Sequence, residues 1–184
     1  MRRTFIAMLL AACAFAQDKP VTPTPPPAAP ASFRQVFLNR LQDTETKLVS
    51  LAEATPQEKL TWRPAEGVRS VSEVFMHIAG SNYFFLTPLG VKPPAGLNMG
   101  AEKTVTAQAD IVAALKKSFA HVRTAVEGMS DADMSKATKM FGQSLTYEGV
   151  LFVMANHMHE HFGQSIAYAR TNGIVPPWSQ KKEN

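Results

Sequence analysis

The sequence predicts an all-α protein, a bundle of four helices. Three observations point there: four long stretches carry apolar residues at helical spacing, each is bounded by capping residues or by proline and glycine, and no segment shows strong strand alternation. Ser32 is a plausible N-cap for the first helix, where Phe33, Phe37, Leu41, Leu48 and Leu51 share a face over residues 33 to 53. Thr55-Pro56 ends it, and the proline and glycine of Trp62-Arg63-Pro64-Ala65-Glu66-Gly67 mark a loop. Ser70, with Glu73 three residues on, forms a capping-box pattern opening a second helix that runs to about Leu86. Pro88, Gly90, Pro93, Pro94, Gly96 and Gly100 then make an irregular connection longer than compact bundles usually carry, and loops of that length are often functional. Thr104 or Thr106 caps a third helix over roughly 107 to 128. There Ile111, Leu115, Phe119, Val122 and Val126 form a core stripe and Gly128 supplies the stop. A polar stretch, 129 to 144, leads to a fourth helix from about 146 to 172, closed by Asn172-Gly173 ahead of Pro176-Pro177.

The flanks read differently. Met1-Arg2-Arg3 followed by the apolar run Thr4 to Ala16 has the basic and hydrophobic regions of a secretory signal peptide, and is too short for a stable membrane helix. Ala14-Phe15-Ala16 is a small-x-small cleavage site, the favoured one because the apolar run ends there. Leu10-Ala11-Ala12-Cys13 also resembles a lipobox, which would make Cys13 a lipid anchor. Cys13 is the only cysteine, so the mature chain forms no internal disulfide under either processing. Residues 17–31, with prolines at 20, 23, 25, 26, 27 and 30, read as an extended linker. The domain boundaries expected are therefore 1–16 signal peptide, 17–31 linker, 32–179 helical domain and 180–184 polar tail.

Charge argues against a nucleic-acid partner. The formal net charge is +4, and loss of Arg2 and Arg3 with the signal leaves 17 basic against 15 acidic residues, or +2. No basic stripe interleaved with aromatics accompanies it, and Lys116-Lys117 and Lys181-Lys182 read as solvated surface.

The chemistry concentrates in Asn156-His157-Met158-His159-Glu160-His161-Phe162-Gly163-Gln164. Side chains at i and i+4 lie on one helical face with Cβ atoms ~5–6 Å apart, so His157 and His161 can share a metal. His159 is rotated by roughly 200° from that pair and faces away. An open mononuclear site usually takes three protein ligands and a water, so a third ligand must come from elsewhere. His77, in the apolar second helix, is the leading candidate; His121, beside Lys116, Lys117 and Arg123, is the competitor.

Neighbouring residues carry further expectations. His157-x-x-Glu160-His161 matches an inverted zincin pattern in which Glu160 would be a general base, but only Glu183 follows as an acidic ligand. Glu160 otherwise reads as a surface carboxylate or a partner orienting an imidazole. Gln164 shares the face of His157 and His161, where it can hydrogen-bond a metal-bound water or substrate, or close a polar layer of the bundle. Tyr168, one turn on, lines the pocket or packs in the core. Glu73 can hold the free ring N–H of His77, though capping is the simpler role. Met76, Met154 and Met158 read as packing.

Taken together, Trp62-Arg63-Pro64, Ser70-Val71, His77, His157-x3-His161-x-Gly163-Gln164, Ala169-Arg170-x2-Gly173 and Pro176-Pro177 resemble the DinB-like (DinB/YfiT) superfamily over about residues 33–179. The resemblance implies a four-helix bundle in up-down-down-up order, a divalent zinc or nickel ion held by His77, His157 and His161, and a homodimer. It also implies an activity among those of the family: metal-dependent hydrolysis, thiol-dependent S-transfer or maleylpyruvate isomerisation. The secretory signal places the protein outside the cytoplasm, periplasmic or secreted, or membrane-anchored if Cys13 is lipidated. Low-molecular-weight thiols are scarce there, which disfavours S-transfer. The expected function is thus an exported metal-dependent hydrolase of a small molecule, with Gln164 and Glu160 as candidate catalytic residues. The alternatives are a non-catalytic metal- or ligand-binding envelope module and a thiol transferase.

Overall fold

The computed structural model describes residues 30–180. The signal peptide expected over 1–16, Cys13, nearly all of the linker and residues 181–184 of the tail lie outside them. Four long helices dominate: α1 Phe33–Ala54, α2 Val71–Phe84, α3 Gln108–Glu127 and α4 Tyr147–Thr171. Among the described residues no helix is long and apolar enough to cross a membrane.

The helices start where their side chains satisfy the first backbone N–H groups. Ser32 accepts from the Gln35 N–H at α1, and Ser70 and Glu73 complete a reciprocal capping box at α2. Thr146 accepts from the Gly149 N–H at α4. The expected threonine cap of α3 is absent, because Ala107 occupies that position and the free N–H of Gln108 is met from a distance by Gln57 Oε1 at 2.9 Å. Gln57 Nε2 donates to the Thr106 carbonyl, while Gln108 Nε2 donates to the carbonyls of Ala52, Glu53 and Thr55 at the end of α1. Gln57 thus closes the start of α3, which no local side chain caps, and the Gln108 side chain adds donors to the end of α1 beside its local Thr55 cap. Gln108→Ala is expected to lower stability by about 1–2 kcal/mol in urea unfolding; a wild-type midpoint would contradict this account.

Packing places α1 apart from α2 and α3 apart from α4. Both α1 and α2 pack against α3 and α4, so α1 and α2 lie across the bundle from each other and not side by side. A simple up-down-up-down bundle would pair consecutive helices; this arrangement agrees with the up-down-down-up order and needs the long connections on either side of α2. The core joins Leu41, Leu48 and Leu51 of α1, Val74, Phe75 and Ile78 of α2, Ile111, Leu115 and Phe119 of α3, and Leu151 and Met154 of α4, each 0–1% exposed. Buried apolar side chains of this kind each contribute roughly 1.5–3 kcal/mol. Helix α2 is the most enclosed element, and His77 is one of its few half-buried positions.

Two elements differ from the sequence expectation. The helix expected to reach Leu86 stops at Phe84, and a 3-10 turn, Thr87–Leu89, follows because Pro88 cannot continue the α-helical bonding. The polar stretch before α4 contains a β-hairpin, β1 Ala137–Met140 and β2 Gln143–Thr146, antiparallel in register from Ala137 opposite Thr146 to Met140 opposite Gln143. Its two-residue turn places Phe141 at φ 50° and Gly142 at φ 76°. Such turns favour Asn-Gly or Asp-Gly, so Phe-Gly gave no recognisable hairpin signal, and four-residue strands are too short for alternation to stand out. Thr138 Oγ1 donates to the Pro88 carbonyl at 2.6 Å, tying the hairpin to the turn after α2.

Candidate metal centre

His77 of α2 meets His157 and His161 of α4 where those helices pack. One nitrogen from each ring lies within 4.8 Å of the others, and the ring centroids are separated by 5.0, 4.6 and 4.6 Å. His77 Nε2 lies 3.0 Å from His157 Nε2. The i, i+4 spacing on α4 supplies two members; the neighbour pattern that sets α2 against α4 supplies the third.

Each of two rings has its other nitrogen tied off. His77 Nδ1 donates to Glu102 Oε2 at 2.8 Å, and Glu102 Oε1 accepts from Arg69 Nε at 2.8 Å. His161 Nδ1 donates to Gln164 Oε1 at 2.8 Å, and Gln164 Nε2 donates to Tyr168 Oη at 2.9 Å. Protons held on both Nδ1 atoms leave the Nε2 lone pairs of His77 and His161 for the centre, as carboxylate and amide partners do for metal-ligating histidines. The Nδ1 of His157 is buried without a hydrogen-bond partner.

The electrostatics favour neutral rings. Burial, with smaller contributions from His161 and His77, pushes the His157 pKa down to about 4. Burial also holds His77 below its ordinary value, a pull that the hydrogen bond to Glu102 only partly offsets. For Glu102 burial acts upward, but Arg69 and His77 outweigh it and keep the carboxyl below its usual range, hence ionised. Three converging imidazoles, two of them with lowered pKa values, fit a divalent metal ion, which takes imidazole in its unprotonated form.

The shift at His157 carries a pH signature. Between 6.5 and about 4 the unfolded chain holds a proton there that the folded chain lacks, so falling pH favours unfolding. The metal-free protein is expected to keep this contribution above the upper value and to lose on the order of 2–3 kcal/mol across the window. His157→Ala should flatten the profile, and an unchanged slope of urea midpoint against pH would count against a buried neutral ring.

A cavity of about 380 Å³ opens beside His77 and His157. Met76, Gly80, Phe84, Phe85, Glu102 and Phe141 contribute to its walls.

Other expected residues fall elsewhere. His121 is on α3, its ring 5.1 Å from Tyr83, outside the cluster. His159 faces away from the pair, exposed, its Nδ1 donating to the Ala155 carbonyl. Glu160 is exposed and does not line the cavity, so the general-base role weighed for it has no geometric support. Gln164 lies on the expected face, but both ends of its amide are engaged, by His161 and Tyr168, and it therefore holds a ring and does not face the cavity. Tyr168 packs edge-on against Trp62 in the core. Glu73 keeps its capping role, with Arg63 and Lys103 nearby, and it is Glu102 that takes the N–H of His77. Met154 and Met158 are core, while Met76 is buried along the cavity.

Glu102 and Arg69 were missed because both come from irregular segments. Glu102 belongs to a 3-10 turn, Met99–Lys103, opened by Asn98, whose Oδ1 accepts from the Gly100 N–H. The one available signal was the length of the connection after α2.

Comparison with known proteins agrees with this fold. A family model described as the DinB superfamily matches residues 40–165. No curated protein matches the chain significantly. Among solved structures, a DinB-like protein from Bacillus cereus is 22% identical with a TM-score of 0.67, the match covering 79% of this chain and 93% of that one. A DinB-like protein from Bacillus subtilis, YjoA, is 19% identical with a TM-score of 0.63, covering 80% and 99%. YfiT from Bacillus subtilis is 16% identical with a TM-score of 0.61, covering 85% and 97%, and is described as a probable metal-dependent hydrolase with an unusual four-helix bundle topology.

Proposed function

The chain belongs to the DinB superfamily, and on that footing we propose that it is a metal-dependent hydrolase of small molecules, with His77, His157 and His161 holding a zinc or nickel ion. The observation carrying the reading is the convergence of three imidazoles next to an open cavity. The description of YfiT supports the reaction type.

A divalent ion on three imidazoles supplies Lewis acidity and brings water within reach of ionisation near neutral pH. The chain's own residues prepare for it. Glu102 and Gln164 keep the Nδ1 protons of His77 and His161 in place, so neither ring must change tautomer when an ion enters. Phe85, its ring 5.1 Å from that of His157, shields one side of the site from bulk water. Hydrolysis inserts one water into an acyl–oxygen or acyl–nitrogen bond: the oxygen joins the acyl carbon and a proton goes to the departing alcohol or amine.

The test is turnover of a panel of small neutral esters and amides by zinc- or nickel-loaded protein. Hydrolysis should cease with a chelator and return on adding the metal. A loaded protein that cleaves none of them would overturn the hydrolase reading. Export by the signal at 1–16 and tethering through the 17–31 linker complete the proposal, supported by the sequence there; mass spectrometry of the mature N-terminus distinguishes Gln17 from a lipidated Cys13.

A further inference from the structure

One wall of the cavity is an exposed ring at the tip of the β-hairpin. Phe141 stands at the tip of the hairpin at φ 50° and is 68% exposed. Bulky residues rarely adopt a positive φ, and the two-residue turn favours asparagine at this position. Burial does not explain the choice, since most of the ring is in solvent. Strain retained without a packing return is often a sign of function.

The ring's surroundings say what that function is. Phe141 lies 5.9 Å from Phe84, itself 43% exposed, and 6.4 Å from Phe85. Phe85 in turn meets His157, so the aromatic surface runs from the hairpin tip to the candidate metal ligands. The one charged side chain lining this cavity is Glu102, already bonded to Arg69 and His77; no lysine or arginine lines it. Away from the metal ligands, an anionic substrate group would find no lysine or arginine in the walls and would face the Glu102 carboxylate. A flat, neutral π-face would find two partially exposed rings able to stack or meet it edge-on.

We propose that Phe141 and Phe84 form an aromatic clamp that selects, as substrate, a neutral ester or amide carrying an aryl group a few bonds from its carbonyl. This deepens the hydrolase reading and rests on it for the scissile bond. The clamp itself depends only on the hairpin tip and the end of α2. The chain gives up turn stability at residue 141 to keep a ring over the cavity.

The test pairs binding with folding. Cobalt-substituted protein is titrated with benzohydroxamate, acetohydroxamate and the anionic monohydroxamate of succinate, followed by visible absorption. Benzohydroxamate should bind about tenfold or more tighter than acetohydroxamate, and the succinate compound no better than acetohydroxamate. In Phe141→Asn, and again in Phe84→Ala, the aryl preference should fall to near one. Phe141→Asn should at the same time raise the thermal midpoint of the metal-free protein by roughly 2–4 °C, because Asn-Gly suits the turn. Equal binding of the two neutral probes, an aryl preference surviving Phe141→Asn, or a lowered midpoint, which would make the ring a packing residue, each overturns the clamp. A protein that takes up no cobalt defeats the metal reading alone. Saturation-transfer NMR of metal-free protein with benzamide and acetamide then decides the clamp: contact with benzamide lost in Phe141→Asn sustains it, and no contact in the wild type overturns it.

Discussion

Alanine in place of His77, His157 or His161 is expected to reduce bound metal from near one per chain to background, whichever of the three is changed. Two remaining imidazoles are one ligand short of the protein set of an open site. Loss of a group that merely orients a ligand typically costs about 10–100-fold in affinity, so loss of a ligand should cost more than about 100-fold. Elemental analysis of natively purified protein reads the effect directly. Thermal unfolding supplies a second reading: saturating metal should stabilise the wild type by about 2.7 kcal/mol at one hundred times Kd, and none of the variants. His159→Ala is the control, since that ring is exposed and bonded to its own helix. Stoichiometric metal in any folded variant of the three would remove that histidine from the centre.

Glu102→Gln is expected to weaken metal binding by about 10–100-fold while leaving the fold intact. Glutamine can still accept from His77 Nδ1, but it is neutral, so it no longer raises the basicity of the ring and no longer pairs with Arg69. The Arg69–Glu102 pair is partly exposed, at 37% and 21% of the side chains, so its loss should cost no more than about 1 kcal/mol of stability after solvent screening. Competition with a chelator of known affinity gives the metal constant, and urea unfolding gives the stability. A variant with wild-type metal affinity would show that the negative charge of Glu102 is not needed at the centre; a variant that unfolds would show that its contribution is structural.

Much of the architecture was readable from local pattern. The capping box of Ser70 and Glu73, the Ser32 cap and the stripe from Ile111 to Val126 are properties of a helix and its immediate flanks, and the structure agrees with each within one or two residues. The failures share a cause. The α3 cap is supplied by Gln57, 51 residues away from Gln108, and the hairpin has a Phe-Gly turn and is tied through Thr138 to the turn after α2. Neither leaves a periodic trace.

The centre divides in the same way. That His157 and His161 point together follows from the 3.6-residue helical repeat, which is local, and it is legible before any packing is known. The choice of His77 over His121 as their neighbour depends on which helix lies beside α4, and that is decided by the long connections that set α2 against it. Glu102, Arg69 and Phe141 come from segments without periodicity, so only the folded chain brings them to the histidines. The sequence by itself determined the helices and the paired imidazoles, because backbone geometry repeats at fixed intervals. The third imidazole, the carboxylate that holds it and the ring over the cavity were decided by tertiary structure, because contacts between distant segments follow from how surfaces fit and not from spacing along the chain.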